Sequence, residues 1–171
     1  MALSPWIQEF LRRADVAYSV VHHPRAQSAA AEAAVTGVPK DHWAKAVVCF
    51  ADGEPVQAVV PASRYVDLAA LAHVLGAKTA RLATEDELDW LYPDCETGAM
   101  PPFGPLYRQL VLVDDHLAAE DEIVFNAGTY ADAISMRFAD FEAITHPVIA
   151  SLARKEGGDG RETTDRATRA G

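Results

Sequence analysis

A single lysine interrupts an otherwise apolar segment, and it is the first residue whose placement could serve chemistry. Lys45 lies in residues 43–50, WAKAVVCF, in which every other side chain is apolar. Lysine is rarely buried without a partner. It could therefore lie at a strand edge and extend its charge into solvent. Alternatively, it could be held in a cleft to meet a phosphate, a carboxylate or a polarised carbonyl. From these residues alone both interpretations stay open.

A proline- and glycine-rich loop is the second candidate. Two prolines stiffen it, and two glycines permit close backbone approach or a positive φ. Such a loop can present fixed backbone N–H groups to a carbonyl oxygen, and its apolar side chains can line a pocket. A rigid surface turn is the alternative. The loop consists of Gly98, Ala99, Met100, Pro101, Pro102, Phe103 and Gly104.

A strand end with turn residues is the third candidate. Phe125 is followed by a segment in which asparagine and glycine indicate a turn whose amide and backbone groups face outward. In isolation the segment is equally consistent with a plain turn. Its residues are Asn126, Ala127, Gly128, Thr129 and Tyr130.

The familiar motifs of cofactor and metal chemistry are not found in the sequence. It contains no phosphate-binding glycine loop, no nucleophile elbow and no pair of histidines at zinc-binding spacing. The adjacent His22 and His23 would point to opposite faces of a strand. We therefore expect neither a metal nor a cofactor. Cys95, three residues before Gly98, leaves open an esterase or amidase with a thiol nucleophile.

Helices and strands alternate along the chain, with tight hairpins between some strands. Ser4, Ser28, Asp67 and Thr84 are placed to cap helices, and Asp140 is expected to cap a short helix through Ile144. The order predicts an α/β (α+β) fold with a mixed, mostly antiparallel sheet flanked by helices. Strands are expected near residues 18–22, 43–50, 56–61, 78–82, 110–113, 123–126 and 133–138.

Composition predicts one domain and a tail. Residues 1–153 are expected to form the domain, and the polar, glycine-rich residues 154–171 a disordered tail. The chain has a net charge of −10, and since the tail has five basic and four acidic residues, the domain carries −11. Broad binding to nucleic acid is therefore not expected. No segment has the length of a membrane span or the pattern of a signal peptide, and two cysteines indicate no disulfide framework. We expect a cytoplasmic monomer.

Taken together and in this order, the three candidates resemble the YbaK/ProX family, free-standing relatives of the editing insertion domain of bacterial prolyl-tRNA synthetase. The resemblance covers residues 18–152. It rests on HHPRAQSAAAEAA, the lysine of AKAVV, the G-x-x-x-P loop of TGAMPPFG, and VFNAGTY followed by ISMRF. The resemblance implies a mixed, partly closed sheet with helices packed around it.

The resemblance also implies an activity, the hydrolysis of the ester that joins a wrong amino acid to tRNA. Lys45 would place the 3′-terminal adenosine, and the loop from Gly98 to Pro102 would hold the aminoacyl carbonyl. A ribose hydroxyl would help to activate water, so that no side-chain nucleophile or metal is needed. The expected partners are the acceptor end of aminoacyl-tRNA and an aminoacyl-tRNA synthetase; neither DNA nor a membrane is expected.

The chain departs from many family members at Tyr130, where histidine or serine is frequent nearby. A tyrosine narrows a pocket and adds a hydroxyl, which favours a small or hydroxylated substrate such as serine, threonine or alanine. An alternative function remains open, in which the same pocket binds aminoacyl-tRNA or an amino acid without turnover and regulates a partner.

Overall fold

The computed structural model describes residues 3–155. The α-helices in this part of the chain are α1 Pro5–Ala14, α2 Ala29–Thr36, α3 Leu68–Leu75, α4 Glu85–Leu91, α5 Asp115–Ala118 and α6 Phe138–Thr145. The strands are β1 Ser19–His22, β2 Ala44–Ala51, β3 Glu54–Pro61, β4 Tyr65–Val66, β5 Ala80–Leu82, β6 Leu110–Asp114, β7 Glu122–Thr129, β8 Asp132–Arg137, β9 Val148–Ala150 and β10 Ala153–Arg154. Short 3-10 helices lie at Lys40–His42 and Gly104–Tyr107.

The strands form three sheets with mostly antiparallel pairing. The largest has the order β5-β2-β3-β6-β9, the second has the order β1-β8-β7, and β10 pairs with β4. Only the β3–β6 and β6–β9 pairs are parallel among the described strands. The predicted fold class, a mixed and mostly antiparallel arrangement flanked by helices, is confirmed. The partly closed sheet that the resemblance implied was wrong, because the strands form separate sheets that are not closed. An isolated parallel bridge between Trp43 and Val124 joins the first two.

Helix caps set the starting points of four helices, as the sequence predicts. The side chains of Ser4, Ser28, Asp67 and Thr84 each accept a hydrogen bond from a backbone N–H in the first turn. A short helix is present where α6 was predicted, but the predicted cap was wrong. This helix begins at Phe138, after Arg137, and Asp140 lies inside its first turn. The helix starts earlier because Phe138 and Phe141 are buried in the core, and their packing outweighs the local capping preference.

Two apolar clusters lie on opposite faces of β2, and the alternation of side chains along this strand orients the site. Val47 and Cys49 pack with α3 on one face, whereas Val48 packs with α4 and Met100 on the other. Because side chains alternate along a strand, Lys45 lies on the Val47 face.

The end of the described chain is held by Asp114. Its Oδ1 accepts hydrogen bonds from the N–H groups of Leu152 and Ala153, at 2.9 and 3.1 Å. Arg154, the first residue of the predicted tail, is the last residue of β10. Residues 156–171 lie outside the described residues, so the predicted disorder of the tail stays a prediction. Within the described residues, no helix is long and apolar enough to cross a membrane.

Candidate functional site

Glycine is required at both ends of the loop 98–104, for a different structural reason at each end. Gly98 has φ +87°, and the Ala99 N–H donates to the Glu96 carbonyl at 2.9 Å. This is a tight turn with its third residue in the left-handed region, which favours glycine. At Gly104 a Cβ would lie 2.4 Å from the Gln109 carbonyl oxygen, so no side chain fits. The loop is therefore fixed at both ends.

Backbone hydrogen bonds join this loop to the turn 126–130. The Glu96 N–H donates to the Gly128 carbonyl at 2.8 Å, and the Gly128 N–H donates to the Ala99 carbonyl at 2.9 Å. The β7–β8 register shifts between Asn126 and Thr129. This bulge releases the backbone of Gly128 from the β7–β8 ladder and makes it available to the loop. The structure thus brings together two segments that the sequence singled out separately.

Two N–H groups of the loop form no hydrogen bond within the described part of the chain. Among the described residues, neither the Gly98 nor the Met100 N–H has a hydrogen-bond partner. Pro101 and Pro102 follow and have no N–H to offer. A turn that holds unengaged N–H groups in fixed positions can polarise a carbonyl oxygen.

The apolar side chains of the loop point into the protein. Met100 and Phe103 are 4% and 0% exposed, and Phe103 packs against Phe10 and Phe125. The Pro101 carbonyl accepts from Gln57 Nε2 at 3.1 Å. Ala99, Pro102 and Gly104 are buried as well. These contacts attach the loop to the protein core through its side chains. The apolar side chains are therefore not free to line a pocket, and the loop would contribute to one mainly through its backbone.

Lys45 is 3% exposed and lies on β2 opposite Val60. Its Nζ is 4.8 Å from the centroid of the Tyr65 ring, within the range of a cation–π interaction. Lys45 and Asn126 each follow the bridged pair Trp43–Val124 by two residues, on strands that run in the same direction. Their side chains therefore lie on the same face of the β2–β7 junction.

Glu32, which was not among the candidates predicted from the sequence, lies in this region and is fully buried. Its Oε2 accepts from Asn126 Nδ2 at 2.5 Å, and its Oε1 is 3.3 Å from His23 Nε2. Burial raises the pKa of Glu32 to about 8, and the negative charge of Glu96 adds to the shift, whereas the Asn126 hydrogen bond opposes it. The signal in the sequence was one carboxylate among the alanines of α2.

The turn residues Thr129 and Tyr130 are tied to their neighbours. The Tyr130 hydroxyl donates to the Thr97 carbonyl at 2.8 Å, and its backbone N–H donates to Glu96 Oε2 at 2.6 Å. Thr129 Oγ1 donates to Asp132 Oδ2 at 2.6 Å. Ala127 is buried in the main core. Tyr130 therefore braces the turn that carries Gly98.

Cys95 lacks the surroundings of a nucleophile. Its Sγ lies 3.5 Å from Asp94 Oδ1 and 3.5 Å from the Tyr107 hydroxyl, rather than beside a histidine. Burial raises the pKa of the thiol to about 12. The thiolate is therefore scarce at neutral pH, and this argues against the thiol-nucleophile alternative.

Among the described residues, Asp114, Asp115 and His116 are close enough to offer three ligand atoms to a metal ion. The buried Asp114 already uses both carboxylate oxygens. Oδ1 holds the start of β10, and Oδ2 accepts from the His116 N–H at 3.1 Å. These bonds give the cluster a structural role.

The Gly98 turn is fixed to the segment 126–130, which shares a sheet face with the buried Lys45 on a mixed α/β domain. A rigid turn with two N–H groups that have no hydrogen-bond partner among the described residues fits a hydrolase acting on an activated acyl group. Comparison with known proteins identifies the family. The model for the family "Aminoacyl-tRNA editing domain" matches residues 23–144. The chain belongs to this family, and the predicted aminoacyl-tRNA deacylase is thereby confirmed.

Individual relatives agree with this assignment. The chain is 34% identical over 143 residues to the multifunctional Ser/Thr-tRNA deacylase ProXp-y of Escherichia coli K12, covering 80% of this chain and 84% of the relative. It is 36% identical over 109 residues to a proline–tRNA ligase of Nitratidesulfovibrio vulgaris, covering 64% of this chain but only 19% of the ligase.

A solved structure described as a candidate trans-editing enzyme for prolyl tRNA synthetase has the same fold. It superposes with a TM-score of 0.76 at 22% identity, covering 90% of this chain and 99% of the other. The likeness supports the fold assignment.

Proposed function

We propose that this chain clears tRNA charged with a small or hydroxylated amino acid, with serine and threonine as the foremost substrates and alanine as a third. The proposal rests on one observation above all, the fixed turn at Gly98 whose N–H groups have no hydrogen-bond partner among the described residues. The name of the E. coli relative, a Ser/Thr-tRNA deacylase, supports the choice of substrate.

In the proposed reaction, the carbonyl oxygen of the ester accepts a hydrogen bond from the Gly98 N–H. Water attacks the carbonyl carbon, and negative charge on the oxygen is stabilised by the turn. The bond between the carbonyl carbon and the ribose oxygen then breaks. The ribose oxygen takes up a proton lost by the attacking water, and the free amino acid leaves with the oxygen of that water in its carboxylate group. A neighbouring ribose hydroxyl positions the water, so the protein supplies placement rather than a nucleophile.

Lys45 is proposed to place the acceptor end. Its charge lies on the face of the β2–β7 junction that also carries Asn126. Asn126, Ala127, Gly128, Thr129 and Tyr130 would form the second side of the substrate site.

Recognition is proposed to be confined to the acceptor end, with delivery by an aminoacyl-tRNA synthetase. Two observations support this. The chain carries a net charge of −10, and its similarity to a proline–tRNA ligase occupies a segment of a much longer protein. The protein would act as a monomer in the cytoplasm, where tRNA is charged.

Hydrolysis of charged tRNA tests this function directly. The purified protein would be incubated with tRNAs carrying radiolabelled serine, threonine, alanine, proline or cysteine, and loss of the ester followed. We expect Lys45→Ala to lower the rate by about a hundredfold, because misplacement of a substrate by about 1 Å can cost that much.

Lys40→Ala is the matched control, since Lys40 is an exposed lysine and should leave the rate unchanged. Equal rates for the wild type and Lys45→Ala would refute the role of Lys45. Stoichiometric binding of a non-hydrolysable aminoacyl-adenosine without release of product from any ester would refute turnover and leave a binding module.

A further inference from the structure

A second cation, Arg154, lies against the same aromatic ring as Lys45. The guanidinium carbon of Arg154 is 5.7 Å from the centroid of the Tyr65 ring, and Lys45 Nζ is 4.8 Å from it. The three side chains come from β10, β4 and β2. Arg154 lies ten residues beyond the segment that matches the editing-domain family, which ends at residue 144.

The fold fixes the position of Arg154. In the antiparallel β10–β4 pair, Arg154 is directly opposite Tyr65. The preceding residues are held by Asp114 Oδ1, which accepts from the Leu152 and Ala153 N–H groups. Leu152 is fully buried, and its carbonyl accepts from the Asp67 N–H at 2.7 Å. The arginine is thus attached to a rigid strand.

The guanidinium group is buried and its hydrogen-bonding capacity is unused. Nε and both terminal nitrogens of Arg154 are shielded from solvent and have no hydrogen-bond partner in the described part of the chain. No carboxylate of residues 3–155 forms an ion pair with it, although the chain has 25 acidic residues against 15 basic ones. A buried, unsatisfied cation is costly, so this arrangement is expected where a ligand supplies the acceptor oxygens.

We propose that Arg154, with Lys45 and Tyr65, forms a binding site for a phosphate group of the tRNA acceptor end; this deepens the proposed function and rests on it. A guanidinium group binds phosphate through two parallel hydrogen bonds, whereas an ammonium group acts as a point charge. Arg154 is a positioning residue, because it acts on the ester through the phosphate that it holds.

Binding and its salt dependence test the site. The ligand would be an uncharged RNA hairpin that ends in the single-stranded acceptor sequence of tRNA, titrated at several salt concentrations against wild type, Arg154→Gln and Arg154→Lys. We expect Arg154→Gln to weaken binding about tenfold and to flatten the slope of log K against log salt by about 0.7, the value for one lost contact to a single-strand phosphate.

Arg154→Lys keeps the charge and should restore the slope while recovering only part of the affinity. Arg13→Gln removes the same charge from an exposed site on α1 and should change neither quantity. In turnover assays, Arg154→Gln should raise KM more than it lowers kcat.

An unchanged slope in Arg154→Gln would overturn the proposal. If wild type binds inorganic phosphate as tightly as it binds the hairpin, and Arg154→Gln weakens both equally, the acceptor end would be overturned as the source of the phosphate. If Arg154→Gln does not fold, NMR of the wild type replaces it. The Nε–H resonance of Arg154 is assigned by its loss in Arg154→Lys, and it should shift when the wild type binds the hairpin. No shift would refute the site. Absence of hydrolysis by wild type would refute the proposed function alone, because these binding measurements need no turnover.

Discussion

At the scale of single residues, Glu32 is the least expected feature of the site. A fully buried carboxyl group with a pKa of about 8 stays protonated in the folded protein at neutral pH, whereas in the unfolded chain its pKa is 4.5. Between these values the folded state binds more protons than the unfolded state. The contribution of Glu32 to stability is therefore fully present below pH 4.5 and is lost as the pH rises towards 8.

We predict that Glu32→Gln makes thermal stability less dependent on pH. Glutamine can still accept the hydrogen bond from Asn126 but cannot ionise. The Tm of wild type should fall more between about pH 5 and about pH 8 than the Tm of Glu32→Gln, as measured by circular dichroism. Glu142→Gln, at an exposed position on α6, should follow wild type. The same decline in all three proteins would show that Glu32 is ionised in the fold.

At the scale of elements, the loop 98–104 depends on the turn at Gly98. A side chain at φ +87° is strained, and relief of the strain would rotate the N–H that we propose as the carbonyl donor. Gly98→Ala should lower kcat by about a hundredfold, the loss typical of one removed donor, in single-turnover assays on charged tRNA.

The hairpin between β2 and β3 supplies the control for this prediction. Gly53 has φ +84° and open space around it, so Gly53→Ala carries similar backbone strain far from the loop. Both variants should lose a similar amount of stability, but only Gly98→Ala should lose kcat. Equal kcat values would mean that the Gly98 N–H does not contact the reacting carbonyl.

The elements also show what sequence could and could not predict. Caps such as Ser4 and Thr84 depend on neighbouring residues, so their helices were predictable. Strands β4, β9 and β10 have only two or three residues, and their pairing depends on tertiary contacts that no local pattern reports. Likewise, Lys45 and the loop 98–104 could be recognised from their residue types. The contact of Gly128 with Ala99 could not, because it depends on a bulge in β7. The burial of Glu32 could not be predicted either, because it depends on how α2 packs.

At the scale of the whole molecule, charge limits how tRNA can bind. With a net charge of −10, the protein repels an RNA backbone over most of its surface, and attraction is expected only where cations cluster. Lys45 and Arg154 around Tyr65 form such a cluster. Affinity should therefore be low, and specificity should come from the acceptor end and its ester.

We predict a shallow salt dependence of RNA binding for the wild-type protein. Contact with one or two single-strand phosphates gives a slope of log K against log salt of about −0.7 to −1.4, whereas six or more contacts would give about −4 or steeper. Titration of intact tRNA and of the acceptor-end hairpin by fluorescence anisotropy should give the same shallow slope for both. A slope for intact tRNA that is much steeper than the hairpin's would mean that the body of the tRNA also contacts the protein, and recognition would then extend beyond the acceptor end.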